Sequence, residues 1–178
     1  MKSDFLDQRI HAAEKLAGYT YPASILALSE GVESNFNAAF CITAAESLAK
    51  ISTPMAIGAL EAAIVNNCAV HSSVASILGQ MGTDASIDAL IRILATADYH
   101  LTRFTAAAAL SEVKTDASCL ALIKALEDSD EMVREQAAGS LKYVGDSRAF
   151  PALEKMIKTD KGRGGAEKAK ETLDYLKD

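Results

Sequence analysis

Cys68 and His71 stand three residues apart, and Cys41 occupies the position of His71 one sequence repeat earlier. A thiolate beside an imidazole is a nucleophile with its base, and the same two donors bind zinc. On stacked helices about 8–10 Å apart the three could converge on one edge. The competing reading is two small apolar cysteines and a histidine at a helix start. Zinc needs a fourth ligand, and neither a paired Cys-x-x-Cys nor a His-Glu-x-x-His motif is present, so no metal site and no catalytic residue is expected. His11 and His100 are isolated and expected at the surface. Lys161-Gly162-Arg163-Gly164-Gly165 follows no strand and lacks the spacing of a phosphate loop; it reads as a linker. Asp128, Asp130 and Glu131 precede a helix and read as capping and macrodipole residues rather than an acid–base pair.

The elements that must position these residues follow from composition and period. The chain has 178 residues, 49% hydrophobic, 6% aromatic and 24% charged, with three prolines and ten glycines. That is too apolar for disorder and too poor in Gly and Pro for a β-rich or loop-rich protein. Three cysteines at irregular spacing make no disulfide framework and fit a reduced, cytoplasmic protein. The acidic start, Met1 to Asp7, lacks an apolar signal core, and no apolar run is long enough to span a membrane. A net charge of −6 without a basic stripe argues against nucleic-acid binding.

Thr83-Asp84-Ala85-Ser86 recurs as Thr115-Asp116-Ala117-Ser118. Extending that self-similarity gives five helix–turn–helix repeats, at about residues 4–33, 34–65, 66–97, 98–128 and 129–160, followed by a polar capping helix at 166–177. In each first helix a leucine column runs Leu16, Leu48, Leu78, Leu110, Leu141, with an alanine three residues before it and an apolar residue (Tyr19, Ile51, Met81, Val113, Val144) three after it. The second helices carry Leu28, Leu60, Leu90, Leu122 and Leu153, each preceded by alanine, expected to let helices approach closely. Pro22 and Pro54 suit second-helix starts, and Gly82 and Gly145 suit left-handed caps. No repeat buries its apolar face alone, so the expected fold is all-α: a right-handed α–α superhelix, one domain over 1–178.

The stretch Val133 to Ala149 carries Arg134, Ala137-Ala138, Leu141, Gly145-Asp146 and Ala149. It resembles the HEAT repeat of the phycobilisome-lyase-like kind. The resemblance covers about residues 4–160 and implies an α-solenoid. It also implies an alternative function, a bilin lyase or bilin chaperone acting on a tetrapyrrole or a phycobiliprotein, where a thiol site would handle a thioether bond. A bilin's propionates would need cations near aromatic surface, and Arg92, Tyr99, Arg103 and Phe104 are the group that offers them. His-Glu pairs of the kind that hold iron in the deoxyhypusine hydroxylase branch of HEAT proteins are absent.

The repeats are informative where they differ. Seven residues before the leucine column stand Arg9, Cys41, His71, Arg103 and Arg134. Each arginine is expected to pair with an acid about five residues earlier, Asp4 for Arg9 and Asp98 for Arg103; Phe36 and Asn66 replace that acid where the arginine is lost. Between Ser34 and Gly82 the charged residues are Glu46, Lys50 and Glu61 alone, whereas residues 91–178 carry 14 basic and 15 acidic residues. Outward positions held by Lys124, Glu127, Lys155 and Lys158 become Ala62 and Val65 in the second repeat. An uncharged patch of that kind marks an interface. The expected function is a non-enzymatic scaffold without a cofactor. It would bind another protein, or a second copy of the chain, through the concave face and the surface around Gly58, Ala62, Val65, Cys68 and Ser72.

Overall fold

The computed structural model describes residues 2–34, 37–66, 70–160 and 163–177, with side chains at all of these but 2–4, 66 and 163. These contain eleven α-helices, one short 3-10 turn and no strand. The chain divides into two compact halves, 1–89 and 90–178. The N-terminal half holds α1 (Lys2–Leu16), α2 (Pro22–Glu33), α3 (Ala38–Ile51), α4 (Pro54–Asn66), α5 (His71–Met81) and the start of α6 (Asp84–Thr96). There α3 packs on α1, α2, α4 and α5, and α2 lies along α4. The C-terminal half holds the end of α6, then α7 (His100–Leu110), α8 (Asp116–Ala125), α9 (Glu131–Val144), the 3-10 turn Ser147–Ala149, α10 (Phe150–Thr159) and α11 (Arg163–Lys177). In it α9 packs on α7, α8 and α11, and α10 on α11.

Local chemistry starts and stops these helices. Thr83 and Ser86 exchange bonds: the Ser86 amide donates to Thr83 Oγ1 and the Thr83 amide to Ser86 Oγ, both at 3.2 Å. Thr115 and Ser118 repeat the arrangement at the start of α8. The repeated Thr-Asp-Ala-Ser is thus a capping box in which serine does the work of glutamate. Asn37 and Asp130 cap α3 and α9 by accepting from two backbone amides each. α2 and α4 open on Pro22 and Pro54. Gly82 (φ 59°) and Gly145 (φ 76°) take the left-handed C-cap, as does Ser52 (φ 52°).

The leucine columns are the core. Leu48, Leu78, Leu110 and Leu141 of the first helices, and Leu60, Leu90, Leu122 and Leu153 of the second, are wholly buried. Leu16, the last residue of α1, is half-buried, and Tyr19, in the connection after it, is 54% exposed. The alanines before the second-helix leucines depart from expectation. Ala89 is buried, but Ala27 is exposed and Ala59, Ala121 and Ala152 are half-buried. One helical residue is a rotation of about 100°, which turns these side chains off the core face. Ala121 and Ala152 instead line open grooves.

The Gly-rich stretch also differs from the linker reading: α11 begins at Arg163 and takes in Gly164 and Gly165. A Cβ on Gly164 would collide with the Glu135 carboxylate, and one on Gly165 with the Asp160 carboxylate and the Met156 methyl. Both glycines thus sit inside a helix at close approach to neighbouring side chains, and a larger residue there would make those side-chain ends shift.

Candidate interaction surfaces

The arginine column builds a ladder, but its rungs run in the direction opposite to expectation. Arg103 on α7 donates from Nε and Nη2 to both carboxylate oxygens of Asp128, each at 2.8 Å. Its Nη1 donates to the carbonyls of Ala97 and Asp98. Arg134 on α9 repeats the geometry with both oxygens of Asp160 (3.1 and 3.0 Å) and the carbonyls of Asp128 and Ser129. Each arginine therefore grips the backbone of the loop before it and the acid about 25 residues after it; Asp98 supplies a carbonyl, not a carboxylate. Burial works against the Asp128 carboxylate, but the Arg103 guanidinium and the Asp130 amide outweigh it and hold its pKa below the ordinary value. The bonds to Asp128 and Asp160 raise the two arginines in turn. Bidentate pairing is the strong form of such a contact.

In the N-terminal half the column changes character. Arg9 lies over the rings of Phe5 (4.7 Å) and Phe40 (5.8 Å). Cys41 is buried, with Sγ 3.9 Å from Ser34 Oγ. His71 Nδ1 is buried without a hydrogen-bond partner. Cys68 and Phe36 lie outside the described residues, as do the side chains of Asp4 and Asn66. Among the described residues no group of three or more His, Cys, Asp or Glu is placed to hold a metal ion. Cys119 is buried, and its thiol is pushed up first by burial and then by Asp146, which makes it a poor nucleophile.

Arg92, Tyr99, Arg103 and Phe104 lie on α6, on α7 and in the turn between them. Arg103 spends its donors on Asp128 and two carbonyls. Arg92 is exposed on α6, Phe104 is half-buried on α7, and Tyr99 is exposed with its ring edge-on to His100.

The second-helix layer holds the surfaces of interest. On α4, Gly58 and Val65 are exposed and Ala62 is half-buried; Met55 and Val65 are each 55% exposed. A Cβ on Gly58 would meet nothing within 4 Å, so no internal packing demands glycine there. Ser72 is exposed on α5. It lines a groove of about 410 Å³ with Ile42, Glu46, Ser76 and Gln80 of α3 and α5, to which α4 contributes nothing. Two further grooves lie in the C-terminal half. One, of about 310 Å³, is floored by Ile91, Leu94, Ala95, Ala121 and Ala125 with Lys124 at its edge. The other, of about 500 Å³, lies between α8 and α10 and includes Leu126, Ala152, Lys155 and Met156. They share Glu127 and Asp128.

HEAT repeats match residues 26–111 and again 101–174. The chain belongs to the HEAT-repeat family. Human deoxyhypusine hydroxylase, solved in complex with glycerol, is similar in fold, with a TM-score of 0.59 at 16% identity over 97% of this chain and 80% of that one. An engineered protein is also similar, at a TM-score of 0.47 and 21% identity over 97% and 91%. At these identities the likeness to the hydroxylase is one of fold alone. No curated protein sequence matches the chain. Among the described residues no helix is long and apolar enough to cross a membrane.

Two features of these HEAT repeats went unread in the sequence. The acids of the ladder, Asp128 and Asp160, recur 32 residues apart, one repeat, beside arginines 31 apart; a search for arginine-to-acid spacing across a whole repeat would have found them. The second is a pair of cross-repeat bonds: Ser140 Oγ donates to the Ala107 carbonyl (2.9 Å) and Thr172 Oγ1 to the Ala138 carbonyl (3.0 Å), both buried. Ser140 and Thr172 each stand one residue before a column leucine, a signal present but mute until the acceptor is known.

Proposed function

We propose that this HEAT protein is a non-enzymatic interaction scaffold, residing in the cytoplasm, which binds a protein partner through the exposed surface of α4 in its second repeat. The observation that supports this is the contrast at two helical positions. Ala62 and Val65 stand where the fourth repeat carries Lys124 and Glu127 and the fifth Lys155 and Lys158, and Gly58 lies one turn earlier on α4. Leu26 of α2, one repeat before Gly58, is also exposed. Contiguous apolar surface of this kind costs solubility unless a partner covers it. The phycobilisome-lyase-like placement rests on the Arg134 to Ala149 pattern, and the bilin reading that comes with it loses support because the donors of Arg103 are committed.

Ala62→Glu with Val65→Lys tests the reading. Val65 is exposed and a long side chain at half-buried Ala62 can carry its charge out to solvent, so the folded chain should stay within about 1 kcal/mol of its original stability. Association, measured by sedimentation for a second copy and by pull-down of the proteins that the original chain retains, should fall strongly because the new charges must be desolvated. Unchanged association with a collapsed melting temperature would make the patch part of the core.

A further inference from the structure

The α4 surface has an acidic border and no basic one. In the N-terminal half, α1 and α3 carry four Lys or Arg and four Asp or Glu, and α5 carries neither. The second helices of that half carry acids alone: Glu30 and Glu33 on α2, Glu61 on α4, and Asp84 and Asp88 at the start of α6. α2 lies along α4. Glu30 and Glu33 occupy, one repeat earlier, the positions of Ala62 and Val65, two and five residues after the column leucine. Those positions hold Lys124 and Glu127 in the fourth repeat and Lys155 and Lys158 in the fifth, so the repeat itself does not call for acids there. Both carboxylates are exposed, and neither makes a hydrogen bond or ion pair with any described residue. They stand in the last turn of α2, which holds no basic residue. Negative charge there opposes the negative end of the helix dipole, so helix stability does not explain them. Beside them, Leu26 is 61% exposed, and Met55, Gly58 and Val65 continue the apolar surface on α4.

We infer that the α2–α4 surface docks a basic, amphipathic segment of a partner protein, with its aliphatic side chains against Leu26, Met55 and Val65 and its cations on Glu30 and Glu33. The inference rests on the α4 reading and names the chemistry of the partner. Charge complementarity selects this occupant. An acidic segment or a nucleic acid would bring like charge to a layer that holds five carboxylates and no cation. A second copy presenting the same surface would bring the same acids against these.

The test uses the full chain and a fluorescein-labelled peptide alternating leucine and lysine pairs, read by fluorescence anisotropy. Counterparts carry glutamine or glutamate for lysine, or serine for leucine. The leucine–lysine peptide should bind at least about tenfold tighter than each counterpart and weaken with added salt. Glu30→Lys with Glu33→Lys should weaken it at least about tenfold. The melting temperature should hold or rise, since the end of α2 favours cations. Glu167→Lys with Asp174→Lys, the same charge change at exposed sites on α11, should leave peptide affinity unchanged. Equal binding by the two double variants would overturn the inference, as would equal binding of any counterpart peptide or no binding of the leucine–lysine peptide. Pull-down separates this inference from the α4 reading. Proteins lost with Ala62→Glu and Val65→Lys but kept with Glu30→Lys and Glu33→Lys would overturn the inference and leave the α4 reading standing. Proteins kept by both variants would remove the α4 reading and the inference with it.

Discussion

The two halves follow one helix-pair plan and hold it together differently. Residues 90–178 tie repeat to repeat with polar rungs: Arg103–Asp128, Arg134–Asp160, Arg148–Asp116, Lys155–Glu127, and the buried bonds of Ser140 and Thr172. Residues 1–89 hold the same leucine columns, but Cys41 and His71 take two of their three arginine-column positions, leaving Arg9. Ser47, at the position of Ser140, is buried with its hydroxyl unpaired, as is His71 Nδ1. The apolar columns therefore suffice for a HEAT pair, and the ladder is an addition to them. Where the ladder is missing, second helices α2 and α4 lie side by side and α4 presents a nearly uncharged surface. Where the ladder is present, grooves open along α8.

The largest effect should be shared by both halves. Leu48→Ala and Leu110→Ala each remove a wholly buried side chain and should each cost about 2–5 kcal/mol in denaturant unfolding. Leu173→Ala should cost less, since α11 lines one side of the stack among the described residues. A much smaller loss at Leu48 than at Leu110 would break the claim that the columns are equivalent.

Next come the rungs, which should separate the halves. Arg103→Met leaves Asp128 half-buried without its bidentate partner and should cost about 2–4 kcal/mol. His71→Leu removes an imidazole nitrogen that has no partner and should change stability by less than about 1 kcal/mol. Adding Asp128→Leu to Arg103→Met should recover much of the loss, because the unpaired charge is then gone.

Acid should act on the same side of the comparison. The Arg148 guanidinium holds Asp146 at about 2, below the usual 3.8, and Lys168 with Lys142 holds Glu171 at about 2, below 4.5. Asp128 and Glu127 are lowered as well. These carboxylates bind protons more readily in the unfolded chain, so their contribution is complete above the ordinary carboxylate range. It is lost as the pH falls from there towards about 2. Hydrogen exchange followed by mass spectrometry should show α9 and α11 losing protection at a higher pH than α3 and α4. Simultaneous loss would mean that the halves do not differ in this respect.

The smallest effect should be a gain. Gly58 sits inside α4 with open space where its Cβ would be, so Gly58→Ala should stabilise the N-terminal half by about 0.5–1 kcal/mol, seen as a raised melting temperature. A loss would mean that the backbone of α4 is packed more closely at that point than its surroundings show.

What the sequence determined by itself is the set of features that a few consecutive residues encode. Period and leucine columns place the helix pairs, because a helix returns to the same face every three to four residues. Thr83, Ser86, Pro54 and Gly145 mark helix ends, because caps are satisfied within one turn. The uncharged stretch around α4 was equally legible, being a matter of composition. Only the tertiary structure decided which acid meets which arginine. Asp98 is nearer to Arg103 in the chain, yet stacking brings Asp128 to its guanidinium and leaves Asp98 to offer a carbonyl. It also put Ser72 in a groove between α3 and α5, to which Gly58, Ala62 and Val65 do not contribute, and turned Ala121 and Ala152 into the lining of grooves. Those outcomes depend on how one helix is rotated and spaced against another, and no local pattern of residue types carries that information.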